Sequence, residues 1–330
     1  MLATRTEGGA ITRYIIRRVL WGIALLFLVA AVTFVLFYVL PVANPAQLRA
    51  GRNPSPRIVA DISRELGLDK PLYTQFYDYV KGVALHFNLG YSFYSNASVK
   101  SLIFERLPAT ISLAAGGVVI WLVSGISVGI ISAVRRRTWL DRASMSTALV
   151  FISAPEYWLG LIALFLFASD IGKLRVFPGA GSYVGLSTDP GKWFTSLILP
   201  WLVLAATFAA IYARLLRSSL LDVLGQDYIR TARAKGLSER RVIMRHGVRA
   251  AITPIVTVLG LDLGTLLAGA LLVEVVFDIP GVGRLNYDAI THSDFPIIQG
   301  TVLLAALFIV VANILVDISY AYLDPRVRFK

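Results

Sequence analysis

Cysteine is absent from the 330-residue chain, which excludes disulfides and thiolate metal sites. Histidine is nearly as scarce: His86, His246 and His292 are too scattered to nominate a metal cluster, and none is expected. Charge is thin too. Asp, Glu, Lys and Arg make up 16% of the residues, less than a soluble domain carries, whereas 56% are hydrophobic. A phosphate-cradling Gly-x-x-x-x-Gly-Lys-Ser/Thr is also missing, since Gly172-Lys173 and Gly191-Lys192 lack both the upstream glycine and the following hydroxyl. No catalytic residue and no resident cofactor are nominated.

What the chain does have is apolar runs of about 20 residues without central charge, each able to cross a hydrocarbon core of roughly 30 Å. Mean hydropathy is +0.69. The expectation is an all-α polytopic membrane protein in a lipid bilayer. Its six spans are Tyr14–Leu40, Ala109–Val134, Ala143–Ser169, Trp193–Leu216, Ala251–Phe277 and Gln299–Leu323. The first run is too long for a signal-peptide core and ends in no small-residue cleavage site, so it is read as a retained span. Trp21, Tyr38, Trp139, Tyr157, Trp158, Trp193 and Tyr322 mark span edges as an interfacial belt does.

The net charge of +12 is read as topogenic rather than as a nucleic-acid footprint. Arg13, Arg17 and Arg18, then Arg135–Arg137 with Arg142, then the loop after span four, then Arg326, Arg328 and Lys330 all fall on one side if there are six crossings. Both termini are therefore expected in the cytoplasm. The organisation is a first span with its N-terminus (1–40), an external helical segment (41–108), a five-helix core (109–323) holding a basic loop (217–250), and a cytoplasmic tail (324–330). Within the external segment, Ser55, Pro56 and Gly67 punctuate one short helix, with Ile58, Ile62 and Leu66 on one face. Leu72, Phe76, Tyr79 or Val80, and Val83 give a second helical stripe. Packing on the spans is favoured over lying on the bilayer surface.

The stretch "TARAKGLSERRVIMRHGVR", Thr231 to Arg249, breaks the apolar pattern. A helix ending near Lys235 meets Gly236, suited to the left-handed conformation of a helix end. Ser238 is then a good N-cap, and Glu239 sits where the next helix dipole favours an acid. Ile243 and Val248 are placed to pack the second helix back on the spans. Two readings stand: a basic loop held by anionic headgroups, and a rigid surface for a cytoplasmic protein. The punctuation favours the second.

Other signals are weaker. "GISVG", Gly125 to Gly129, formally matches a nucleophile elbow around Ser127, but it lies inside an apolar run and is also a Gly-x-x-x-Gly motif, so helix packing is the favoured reading. A serine protease would need a histidine at the same depth, and the three histidines lie in loops. Asp262, between Gly260 and Gly264, is an intramembrane acid with two open readings: lining a translocation path with those glycines, or a partnered structural carboxylate. An ion-coupled secondary transporter would need more such acids and repeat symmetry. Glu274, Asn313 and Asp317 are read as structural hydrogen-bonding positions. "FDIPGVGRL", Phe277 to Leu285, is a Pro-Gly turn between spans, and "NAS" at Asn96 is discounted as a glycosylation signal.

Taken together, "YIRTARAKGLSERRVIMRHGVRAAITP" resembles the cytoplasmic coupling segment of ABC-importer permeases of the dipeptide, oligopeptide and nickel branch, the first permease of the pair. Aligned on Gly236, the Glu-Ala-Ala positions of the wider importer motif hold Arg230, Thr231 and Ala232, and its Leu-Pro positions hold Val248 and Arg249, departures typical of the peptide branch. "YIIRRVL", "LGLDKPLYTQF", "RLPAT", "VEVVFDIPGVGRLNYDAITHSDFPIIQG" and "NILVDISYAYLDPRVRF" extend the resemblance over nearly the whole chain. It implies a second, homologous permease, two ABC ATPase subunits that hold ATP and Mg2+, and an extracytoplasmic substrate-binding protein in a bacterial inner membrane. It places the ATPase contact at Tyr228, Thr231, Ala232, Ala234, Lys235, Gly236, Leu237 and Ser238. The implied cargo is a di- or oligopeptide, with nickel, glutathione, haem or another small solute as alternatives. The family pattern has an amide where this chain has Asp262.

Overall fold

The computed structural model describes residues 4–39, 45–50, 54–65, 67–267 and 270–323. The tail at 324–330, Leu40 and Leu66 lie outside the described residues, as does the Asp317 side chain. In chain order the helices are α1 (Thr4–Phe34, continued by a π-helical turn, Val35–Val39), α2 (Pro45–Ala50), α3 (Pro56–Glu65), α4 (Leu72–His86), α5 (Val99–Val134), α6 (Trp139–Ser153) and α7 (Glu156–Phe167). There follow α8 (Pro190–Leu224), α9 (Asp227–Ala234), α10 (Glu239–Arg241), a π-helical stretch (Val242–Val248), α11 (Arg249–Ala251), α12 (Thr253–Leu267), α13 (Leu271–Val276), α14 (Val282–Thr291) and α15 (Phe295–Leu323). The described residues form no strand beyond two isolated bridges, Tyr91 with Ser98 and Ala168 with Phe177.

Among the described residues, four helices are long and apolar enough to cross a membrane: Ile16–Val39, Val99–Val134, Pro190–Leu224 and Phe295–Val316. Two bent pairs, Trp139–Ser153 with Glu156–Phe167 and Glu239–Ala251 with Thr253–Leu267, bring the number to six if each pair is one span.

The expected third span, Ala143–Ser169, is therefore not one rod: it turns by 105° between α6 and α7. Pro155 clashes with a helical conformation at the residue before it, and Ala154 accordingly sits at φ −80°, ψ 131°. The expected fifth span is likewise divided. A 48° bend between Ala251 and Thr253 marks its start, and its apolar end from Leu271 onwards is the separate helix α13. The second and fourth spans instead run longer than expected. α5 begins at Val99 and passes through Pro108, and α8 continues to Leu224, so the region after Leu216 opens as helix rather than loop.

α5 and α8 pack closely because glycines line their seam. A Cβ on Gly125 would lie 2.9 Å from the Ala209 carbonyl, and one on Gly129 would lie 2.9 Å from the Ala213 carbonyl. "GISVG" is thus a helix-packing motif, with Ser127 exposed on the opposite side. Trp121, Tyr212, Leu216 and Leu220 fill the surrounding core without exposure. The segment ahead of α5 follows its sequence signals. Ser55 Oγ accepts the Ile58 N–H at 3.4 Å, and Gly67 takes φ +67°. α4 packs on α1 through Phe76, whose ring lies 5.6 Å from Phe27 and 5.2 Å from Phe34.

Candidate coupling site

The basic stretch folds as helix, turn, helix. α9 ends at Ala234, Gly236 takes φ +74°, and α10 starts at Glu239. The Leu237 N–H donates back to the Ala232 carbonyl (3.4 Å) and the Gly236 N–H to the Arg233 carbonyl (2.9 Å). This pair of bonds is the Schellman ending, which satisfies carbonyls that a helix end leaves orphaned. Its hydrophobic contact is present too, since Leu237 packs on the cluster of Ile229, Ala232 and Val242.

Ser238 occupies the cap position with extended backbone, but its side chain makes no capping hydrogen bond, contrary to expectation. Glu239 does more than meet a helix dipole. Arg233 clasps it across the turn, Nη2 to Oε1 at 2.7 Å and Nε to Oε2 at 3.1 Å. That hydrogen bond, with the carboxylate charge, raises the Arg233 guanidinium above its ordinary value.

The unit is seated on α8. A Cβ on Gly247 would lie 3.0 Å from Leu220 and 3.4 Å from Leu224, so glycine lets the π-helical stretch meet the last turns of α8. Ile243 and Val248 are buried in the main core, as their spacing suggested.

Of the residues expected at the contact, Tyr228, Thr231, Ala234, Lys235, Gly236 and Ser238 are exposed and Leu237 is half-buried. Ala232 is the exception. It is 8% exposed and faces inward, supporting the knuckle rather than presenting a surface. Exposed Arg240, Arg241, Met244 and Arg245 extend the outer face beyond the expected set.

The three residues expected along a path separate. Gly260 and Gly264 are buried against α15, where a Cβ would lie 1.6 Å from Val316 and 3.0 Å from Ile309 respectively. Asp262 is half-buried and accepts the Tyr212 hydroxyl at 2.7 Å. Glu274 has no exposure and holds the "FDIPGVGRL" turn: it accepts Thr110 Oγ1 at 2.7 Å and the Arg284 N–H at 2.9 Å.

The chain is thus a helical bundle with membrane-spanning lengths, carrying a basic helix–turn–helix seated on one of its long helices. Residues 125–329 match the family described as the inner membrane component of binding-protein-dependent transport systems, and residues 11–114 match its N-terminal companion. The chain belongs to that family: it is the multi-pass permease subunit of a binding-protein-dependent ABC importer, a class that works with ATPase and substrate-binding partners. It is 42% identical over 318 residues to a Brucella abortus (strain 2308) protein named as a peptide transport system permease, covering 96% of this chain and 99% of the relative. It is 39% identical over 317 residues to the glutathione transport system permease GsiC of Escherichia coli (strain K12), with the same coverage of 96% and 99%.

Proposed function

We propose that this permease carries di- or oligopeptides, or small peptide-like solutes, across a bacterial inner membrane, and that the α9–α10 knuckle is where an ABC ATPase grips it. The observation that carries the reading is the knuckle itself. Its turn is closed by two backbone bonds and a two-pronged ion pair, its inner face is fixed to α8, and its outer face is exposed. A part that passes on force has to be stiff and attached, and this one is both. The names of the relatives support the cargo class.

In this reading the chain pairs with a second, homologous permease through its remaining apolar surface, both termini face the cytoplasm, α6 with α7 counts as the third of six spans, and the fifth is the run from Ala251 to Phe277, with Glu239–Arg249 left on the cytoplasmic side. ATP and Mg2+ act in the partner ATPases, and this chain performs no chemistry of its own. Of the three residues nominated for the path, Asp262 keeps a partly accessible side chain, whereas Gly260 and Gly264 lie against α15.

The cysteine-free background gives a direct test. Ala234→Cys and Lys235→Cys, both exposed, are placed singly in the assembled importer and treated with a bifunctional reagent. Crosslinking to an ATPase subunit that changes with ATP is the expected outcome. A folded, assembled complex that never crosslinks at either position returns the knuckle to the status of a basic loop on lipid.

A further inference from the structure

We infer that Asp141 and Arg217 form the joint through which movement of the coupling knuckle reaches the α5–α6–α7 part of the bundle, an inference that rests on the coupling reading above. Asp141 stands in the first turn of α6 and is 4% exposed. Its carboxylate gathers four parts of the chain. From α8 it accepts Arg217 Nε at 2.7 Å and Nη2 at 3.0 Å. From the last turn of α5 it accepts Ser132 Oγ at 2.5 Å, and from the connecting turn it accepts the Arg137 N–H at 2.8 Å.

The position of Arg217 gives this cluster its role. α8 is one helix to Leu224, and its final turns hold the knuckle: Leu220 and Leu224 meet Gly247, while Val223 and Leu224 meet Ile229, Ala232 and Val242. Arg217 lies one turn before Leu220. A push on the knuckle therefore displaces the end of α8 first, and Arg217 is the charged link from that end to another helix. Apolar helix faces can slide past one another, as in shear motions. A two-pronged guanidinium–carboxylate pair has fixed geometry and does not slide without breaking. Through it α6 is bound to follow α8, and the far end of α6 is the 105° break into α7. The pair thus delivers movement to the point in the bundle where the chain is already bent.

The test uses spin-label pairs in the assembled importer, with Leu149→Cys on α6 and Ser218→Cys on α8, both exposed. Distances are measured by pulsed electron resonance without nucleotide and after trapping with ATP and vanadate. With the joint intact, the α6–α8 distance stays the same in both states. In Asp141→Asn it shifts between states by about 2 Å or more, the scale of helix shifts in switching proteins, while ATP hydrolysis persists and a merely static role would broaden both states alike. An Asn variant as invariant as the parent overturns the joint, and so does a parent whose distance changes. Should Asp141→Asn fail to assemble, Arg217→Lys keeps the charge and loses the two-pronged grip; the same nucleotide-dependent shift is expected, and its absence overturns the proposal. Crosslinking at Lys235→Cys is run in each background. A crosslink with an unmoved pair sinks the joint alone, whereas no crosslink anywhere sinks the coupling reading beneath it.

Discussion

Arg233 and Glu239 face each other across the left-handed turn at Gly236, their side chains joined two-pronged at 2.7 and 3.1 Å. Six residues apart in sequence, they close a knuckle whose backbone is already closed by the bonds of Gly236 and Leu237. The pair is exposed, so its contribution is small: about 0.5 kcal/mol, weakening with salt. Glu239→Gln should lower amide-exchange protection of residues 229–241 by roughly twofold at low ionic strength, and by less at high salt. The reversed pair, Arg233→Glu with Glu239→Arg, should regain part of it. Protection unmoved by Glu239→Gln at low salt would show that the backbone bonds alone define the turn.

Gly236 is a sharper requirement. A Cβ there meets nothing within 4 Å, so any cost of substitution arises from the backbone at φ +74°. Gly236→Asn should support near-normal uptake of a radiolabelled peptide, because asparagine tolerates the left-handed region. Gly236→Ala should destabilise the turn by about 1 kcal/mol. Gly236→Pro fixes φ near the wrong sign and removes the N–H donated to Arg233, so it should insert normally yet uncouple ATP hydrolysis from uptake. Normal uptake by the proline variant would remove the turn from the coupling mechanism.

The knuckle was legible in sequence because its signals are local: a glycine past a helix end, a serine before an acid, apolar residues aimed inward. The Gly-x-x-x-Gly at Gly125 was legible for the same reason. The 105° break was not, since hydropathy averages over Ala154–Pro155 and an apolar run reads alike whether straight or bent. α8 overran its expected end because Arg214 and Arg217 mark a departure from the membrane, which a helix need not share. The pairings of the polar joints left no local trace: Glu274 was legible as a hydrogen-bonding position, but its partner Thr110 was not. Asp141 meets Arg217 across 76 residues, Thr110 meets Glu274 across 164, and Ser92 meets Asp294 across 202.

The α5–α8 seam gives a pair of opposite outcomes. Gly129→Leu drives a side chain towards the Ala213 carbonyl and Leu216 Cβ, 2.9 and 3.0 Å from where its first carbon would sit. Overpacking of this kind costs about 1–3 kcal/mol and should lower the melting temperature of the detergent-purified subunit. Ser127→Ala, two residues away on the exposed side, should change neither melting nor uptake. Loss of function in Ser127→Ala with normal folding would revive the nucleophile reading of the same five residues.

The buried Glu274 sets the last prediction. Thr110 sits between two segments: its hydroxyl donates to Glu274, and its oxygen accepts the Val282 N–H at 2.8 Å. Glu274 in turn accepts the Arg284 N–H, so one carboxylate and one hydroxyl tie α5 to the start of α14. Glu274→Ala leaves the Arg284 N–H without its acceptor and opens space beneath Gly281, where a Cβ would lie 2.2 Å from the carboxylate carbon. Each orphaned buried group costs about 1–3 kcal/mol, which is large beside the stability of a membrane bundle. Thr110→Val removes both of its hydrogen bonds while keeping the volume, and should cost a similar amount. Because the two residues share one network, the double variant should cost clearly less than the sum of the singles. Additive losses in thermal melting of the purified subunit would mean that Thr110 and Glu274 hold α14 independently.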